Sequence, residues 1–362
     1  MDLMDDLRPA YCRSFFIFLI LTLHYQSYIL KDMGFDKLKI IRKNQIDLSL
    51  LKNLNIAVIG YGSQGQAQAL NLRDSGFIPT IGLPSKSRSR QLAHKDGFSI
   101  STPIRAVKNS DLISILIPDH KHKELFDNGL YDVCRKGQIF VFAHSLSVHF
   151  KLVKQPEAVD FVLVAPHGPG VRLRERYNAG KGLLAFISRT EISSKKSLRL
   201  AAAYAGAIGC ARAGLIETSF ASEAIGDIFG EQAVLCGGLS ALLKAGFETL
   251  VKGGLSPHNA YIECVYQLDL IVDLVKKYGI NGMYDRISTT AAFGSLMAED
   301  DIINAGSKKA MVSILKNIQS GNFIDELLAD YENSFKKLKS NMNKKRSANL
   351  DKMAVLFDKI FH

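Results

Sequence analysis

Between Asn55 and Phe77 the chain reads NIAVIGYGSQGQAQALNLRDSGF, and this stretch narrows the choice of fold more than any other. An apolar, β-rich run leads into glycines spaced Gly60-x-Gly62-x-x-Gly65, and an alanine- and leucine-rich segment of helical period follows. A strand that turns sharply into a helix is the opening unit of a dinucleotide fold. The glycines permit the tight turn and a close approach of backbone to ligand, while the helix N-terminus offers amide donors to a pyrophosphate. A glycine turn that only packs strand on helix would read the same way, so the remainder of the chain has to decide.

Further apolar runs at Thr80–Leu83, Asp111–Ile117 and Gln138–Ala143 alternate with helix-length polar segments, the pattern of a parallel sheet covered on both faces. Phe161–Ala165 and Leu183–Ile187 continue the strand signal, and beyond about Thr218 everything reads as helix. Helical patterns run over Asp227–Leu250, Pro257–Tyr278, Lys308–Gln319 and Phe323–Lys339. The expected class is α/β: a Rossmann-like, doubly wound parallel sheet followed by an all-helical C-terminal domain. The expected divisions are an extension over 1–38, a nucleotide-binding domain over 39–218 and a helical domain over 219–362.

Composition bounds the rest. In 362 residues, 47% are hydrophobic and 22% charged, which excludes a disordered or low-complexity chain. The formal net charge of +11 suits nucleic acid, anionic lipid or a phosphorylated cofactor. Part of that excess lies in Lys336, Lys337, Lys339, Lys344, Lys345 and Arg346, which reads as a solvated face; no nucleic-acid-binding motif accompanies it. Five scattered cysteines without a CxxC pair argue against a disulfide framework and a thiolate zinc site, and point to a reducing, cytoplasmic setting. Phe15–Leu23 is far short of the roughly 20 apolar residues of a spanning helix, so no membrane partner is expected. Arg8 and Arg13 imitate a signal-peptide n-region, but Asp2, Asp5 and Asp6 do not, and a working start at Met33 is the plainer reading.

The end of the second strand bears on cofactor choice. NAD binders place an acid there for the ribose 2′-hydroxyl, whereas GLPSKSRSRQ over 82–91 has none and offers Ser85, Lys86, Ser87, Arg88, Ser89 and Arg90. Hydroxyls and cations suit a 2′-phosphate, which favours NADP. In the helical part Asp227 and Glu231 are four apart, as are Glu263 and Gln267, so each pair presents its oxygens on one helical face. Oxygen donors of this kind hold hard divalent cations such as magnesium, and carboxylates set among apolar residues need partners or a metal. His144 follows the strand QIFVFA, at a carboxyl end where open α/β sheets build their crevice.

Taken together, GYGSQGQAQALNLRDSG, FAHSLSVHF, APHGPG, IETSF, DIFGEQAVLCGG, AGFETLVKGG, YIECVYQLDLIVDL and the segment ISTTAAFG resemble ketol-acid reductoisomerase of the shorter class, from about Ile40 nearly to the C-terminus. The resemblance implies a magnesium-dependent alkyl shift in 2-acetolactate or 2-aceto-2-hydroxybutyrate, then reduction by NADPH to the dihydroxy acid on the route to valine, leucine and isoleucine. By matching position it implies Tyr61, Gly62, Ser63 and Gln64 for the dinucleotide, Ser87 and Ser89 for the 2′-phosphate, and Asp119 and Gly170 lining the cofactor cleft. His144 matches the family's active-site histidine, Asp227, Glu231 and Glu263 its ligands for two magnesium ions, and Ser288 its substrate-contacting hydroxyl. It also implies a homodimer or larger assembly that completes the metal site across an interface.

Several positions depart from the pattern. Gln267 stands in place of a metal-binding glutamate, which removes one negative charge and weakens the second magnesium site. His167 replaces the lysine of the APKGPG segment, exchanging a permanent cation for a group mostly neutral at pH 7. Gln66 and Gln68 replace histidines, Pro84 an arginine, and Thr289 and Ala292 acids. These changes leave open a slower enzyme, an altered substrate preference, or a catalytically weakened homologue retained for binding or assembly.

Overall fold

A computed structural model of the chain describes residues 39–361 apart from Ala158; the expectations for the extension, Met33 and Phe15–Leu23 lie outside them. The chain divides into two units. The first comprises residues through Ile117, Glu124–His144 and Gln155–Phe220; the second comprises Pro118–Lys123, Ser145–Lys154 and the residues from Ala221 onward.

The first unit is built on nine strands: β1 (Ile40–Ile41), β2 (Ile56–Ile59), β3 (Thr80–Gly82), β4 (Ile100–Ser101), β5 (Leu112–Ile115), β6 (Ile139–Phe142), β7 (Asp160–Pro166), β8 (Ala185–Arg189) and β9 (Leu215–Glu217). Their order is β1-β9-β8-β7-β6-β5-β2-β3-β4. Strands β2 to β7 pair in parallel, as the apolar runs lead one to expect. The sheet as a whole is mixed, because β8 runs antiparallel to β7 and β1 antiparallel to β9. The reason lies after β7. The helix that follows, Gly170–Asn178, is tied sideways to the helix Ser63–Asp74, with Arg174 donating to Asn71 Oδ1 at 2.8 Å and to Asp74 Oδ2 at 2.6 Å. The chain therefore re-enters the sheet at the end it left, and Ala185 pairs with Pro166.

We number the helices α1 (Ser63–Asp74), α2 (Ser89–Lys95), α3 (Pro103–Lys108), α4 (Gly170–Asn178) and α5 (Lys195–Ala207). The sheet is apolar on both faces: β2, β5 and β6 are buried at every position. Phe126, Phe140, Phe142 and Phe161 form one aromatic cluster, Phe142 and Phe161 edge to face at 4.9 Å. Each such ring, fully buried, contributes about 1.5–3 kcal/mol. The small side chains of AAAYAGA let α5 lie close on β7 and β8, with Ala201, Ala203, Tyr204 and Ala205 wholly enclosed.

The second unit is helical: α6 (Phe220–Phe229), α7 (Gly237–Lys252), α8 (Pro257–Tyr261), α9 (Leu268–Tyr284), α10 (Thr289–Ile302), α11 (Ala305–Gln319), α12 (Asn322–Glu332), α13 (Lys336–Lys345) and α14 (Ala348–Phe361). Two small clusters hold it together, one around Leu146, Ile228, Ile318 and Ile324, the other around Phe247, Ala260, Tyr261 and Phe357. The helix expected over Phe323–Lys339 is two, broken where Ser334 and Phe335 adopt positive φ (56° and 57°). Asp330 offsets that strain by accepting from the backbone N–H of Lys337 at 2.8 Å and of Leu338 at 2.9 Å, capping α13. Neither α9 nor α10 buries a single residue.

Candidate active site

Each glycine of the first turn has a separate physical job. A Cβ on Gly60 (φ +102°) would lie 2.6 Å from the Leu116 carbonyl oxygen, and one on Gly65 would lie 2.4 Å from that of Gly60. Packing therefore demands the first and third glycines. Gly62 faces solvent with no atom within 4 Å of an added Cβ, and it caps α1 without any side-chain bond to the first-turn amides. Those amides have no partner within the helix. The result is an open cradle of N–H donors at the positive end of α1, which fits a pyrophosphate.

Around this cradle the structure brings together Gly62, Ser63, Gln64 and Gly170. A Cβ on Gly170 would sit 2.2 Å from the Ser63 carbonyl oxygen, so the loop after β7 touches the first turn of α1 backbone to backbone. Two side chains expected at the dinucleotide are directed elsewhere. The Gln64 amide donates to the Gly168 carbonyl at 2.9 Å. The Tyr61 ring is buried, and its hydroxyl donates to Asp96 Oδ2 at 2.8 Å, an oxygen that also accepts from Gln66 Nε2 at 2.9 Å. Burial first, then the Asp96 hydrogen bond, push the Tyr61 phenol far above its ordinary value, so it is a fixed neutral donor. What Tyr61 and Gln64 offer a cofactor is backbone, because their side-chain polar groups are already committed.

Past β3, Ser87 Oγ accepts from the Ser89 N–H at 3.3 Å, and Arg90 folds back to donate to the Leu83 carbonyl at 3.1 Å. This compact turn leaves Lys86 and Arg88 exposed and Ser87 and Ser89 half-exposed. His144, partly buried, stands at the carboxyl end of β6. Its successor Ser145 is wholly buried and directs both its N–H, at 2.9 Å, and its hydroxyl to the Glu223 carboxylate. Glu223 is a buried acid that the sequence reading passes over, although its spacing to Asp227 and Glu231 (i, i+4, i+8) marks it. Asp119 opens a short 3₁₀ turn after β5, its carboxylate 4.0 Å from His122 Nδ1, and that nitrogen lies 2.7 Å from Ser147 Oγ.

The two i, i+4 pairs share a feature that period counting does not show. Both helices widen into a π-helical stretch at the pair: Gly230–Leu235 carries Glu231, and Ile262–Tyr266 carries Glu263. Such bulges accumulate at functional sites because one extra residue re-aims the following face. The first is legible after the fact in Gly237 and Gly238, where an added Cβ would lie 2.2 and 2.1 Å from the carbonyl oxygens of Gln232 and Ala233. Gln267, at the end of the second bulge, donates to Glu263 Oε2 at 3.1 Å. Ser288 caps α10, its Oγ accepting from the Ala291 N–H at 3.1 Å while its own proton remains available. The donors are oxygens of the kind magnesium takes, yet among the described residues no group of three or more His, Cys, Asp or Glu converges into a metal-binding set.

Comparison with known proteins agrees with both parts. Residues 50–214 match the family profile described as acetohydroxy acid isomeroreductase, NADPH-binding domain, and residues 220–355 that of the ketol-acid reductoisomerase C-terminal domain. Among solved structures, an NADH-preferring ketol-acid reductoisomerase from an uncultured archean is 35% identical with a TM-score of 0.84, over 89% of this chain and 99% of that one. A semialdehyde dehydrogenase NAD-binding protein from Cupriavidus necator (14% identity, TM-score 0.60, 74% of this chain and 99% of that one) shares the fold. So does a 1-pyrroline-5-carboxylate reductase from Streptococcus pyogenes (15%, 0.52, 74% and 98%). Two family domains in order, covering most of the chain, agree with a glycine cradle followed by oxygen-bearing pairs on helices, and the chain belongs to the ketol-acid reductoisomerase family of oxidoreductases.

Proposed function

We propose that the chain is a magnesium-dependent ketol-acid reductoisomerase that prefers NADPH, works as a homodimer in the cytoplasm, and converts 2-acetolactate or 2-aceto-2-hydroxybutyrate to the dihydroxy acid in valine, leucine and isoleucine biosynthesis. The observation that carries this reading is the placement of Glu231 and Glu263 on π turns of the helical unit, beside helices α9 and α10 that expose large apolar residues. Leu270 and Ile280 on α9 are 63% and 62% exposed, and Phe293, Leu296 and Met297 on α10 are 70%, 60% and 69% exposed. Faces of this kind mark an interface. A second copy covering them would supply the carboxylates that one chain does not bring together. The stretch Phe220–Lys252 is long and apolar enough to cross a membrane by length and composition, but it carries Glu223, Asp227, Glu231 and Lys244, and we read it as part of the same interface.

In this reading Asp227, Glu231 and Glu263 hold the ions, the first-turn amides of α1 receive the pyrophosphate, and Lys86, Ser87, Arg88 and Ser89 surround the 2′-phosphate. Bound magnesium supplies a Lewis acid for the carbonyl and the developing alkoxide. Bound NADPH supplies the hydride. The protein's own groups do the rest: His144 moves a proton or orients a water at the end of β6, and the Ser288 hydroxyl donates to substrate while its oxygen caps α10. The NADPH preference rests on the absence of an acid over 82–91.

A weakened catalyst is the second reading, favoured by Gln267, whose amide hydrogen faces Glu263 Oε2 instead of a second carboxylate. One assay separates the two: NADPH oxidation by purified protein with 2-acetolactate, with and without magnesium. Metal-dependent turnover supports the enzyme; none above background contradicts it. A large gain in the Gln267→Glu/His167→Lys double variant identifies the weakened homologue.

A further inference from the structure

Gln68 belongs to no part of the machinery described above, yet it is 1% exposed and both ends of its amide are engaged. Its Oε1 accepts from the hydroxyl of Tyr204 at 2.8 Å, and its Nε2 donates to Gln64 Oε1 at 3.1 Å. Gln64 in turn donates to the Gly168 carbonyl at 2.9 Å. Tyr204 lies on α5, wholly enclosed, with burial pushing its phenol far up, so it remains a donor. The bonds run in one direction: the Tyr204 hydroxyl donates to the first amide, the first amide to the second, and the second to one carbonyl.

That carbonyl belongs to the loop that abuts the cradle. The β7–β8 ladder holds this loop from one side, through the His167 N–H to the Leu184 carbonyl at 2.9 Å, and Gln64 holds it from the other. Two residues later Gly170 meets the Ser63 carbonyl with no room for a Cβ. An ångström of drift in the loop would open or close the mouth over the first-turn amides. We propose that Gln68, oriented by Tyr204, is a positioning residue for the nicotinamide cofactor: it sets the height of the Gly168–Gly170 loop over the pyrophosphate cradle through Gln64. The proposal deepens the dinucleotide part of the reading above and rests on it, but does not require turnover.

The test measures dissociation constants for NADPH and NADH by fluorescence titration at a temperature well below unfolding, alongside Tm and steady-state kinetics. Gln68→Leu keeps much of the volume and removes both bonds; cofactor affinity should fall about tenfold, with kcat at saturating cofactor within about twofold. Gln68→Glu should fall as far, because it sets an acceptor against Gln64 Oε1, while Gln68→His, which carries one donor and one acceptor when neutral, should recover most of the affinity. Tyr204→Phe changes little volume and should cost about threefold, which keeps the test open if the Leu variant unfolds. A Gln68→Leu protein with lowered Tm and unchanged cofactor affinity, or a histidine variant no better than leucine, overturns the proposal. Wild-type protein that binds NADPH but does not consume it with acetolactate sinks the proposed function and leaves this inference standing; binding of neither dinucleotide sinks both.

Discussion

The glycine turn and the acidic helices are both candidate binding regions, and they are finished to different degrees within one chain. At the turn four polar side chains near the cradle have partners on the same unit: Tyr61 and Gln66 on Asp96, Gln64 on Gly168, Gln68 on Tyr204. Beneath it β2, β5 and β6 are buried end to end. The acid-bearing helices stand over two small clusters, and α9 and α10 turn large apolar residues to solvent. The difference shows which task one fold unit can do alone. In the proposed reading, holding a pyrophosphate needs backbone amides that a single βα turn supplies, whereas holding two dications needs carboxylates from several helices, which a second copy would deliver.

Substitutions can break that contrast. The largest effect is expected on the acidic side: Asp227→Asn should lower magnesium-dependent turnover by roughly a thousandfold, about 4 kcal/mol of lost charge stabilisation, while NADPH affinity stays unchanged. A parallel loss of NADPH affinity would mean that the two regions are not separable. On the other side, Gly170→Ala forces a methyl into the Ser63 carbonyl; unfolding stability should drop by about 3 kcal/mol in urea melts, and dinucleotide binding should be lost with it. Native-like stability in that variant would show that the loop does not rest on α1. Smaller again, Arg88→Asp should cut the preference for NADPH over NADH by about tenfold in kcat/KM, since it places an acid where the turn has none. The least effect is expected from Gln267→Glu, which should tighten the weaker magnesium site by a factor of about three to ten in a metal titration; no change would remove Gln267 from the ligand set.

How far the sequence discloses these features depends on how local their cause is. The turn at Gly60–Gly65 is legible because a period of two gives way to a period of 3.6 across it, and each glycine answers to a nearby backbone atom. The helical second unit is legible for the same reason. Strands β1, β4 and β9 are two or three residues long and carry no period to read. The reversed β8 escapes because its cause, Arg174 reaching Asn71 and Asp74, spans about a hundred positions. Side-chain direction fails similarly: nothing near Tyr61 or Gln64 announces that Asp96, 35 residues on, and Gly168, 104 residues on, will claim them. The π turns hide because one inserted residue leaves the apolar pattern on either side intact. Only the paired Gly237 and Gly238 betray the first, and only once the clash at their Cβ positions is measured.

The claim on which the account turns is that Asp227 and Glu231 of one copy work with Glu263 of another, and subunit complementation tests it directly. The Asp227→Asn and Glu263→Gln proteins, each inactive alone, are unfolded, mixed in equal amounts and refolded together. Random pairing makes half the dimers mixed, and each mixed dimer then holds one intact site, so about a quarter of wild-type turnover should return. If all three acids act within one chain, every site in every mixture is damaged, and turnover stays at background.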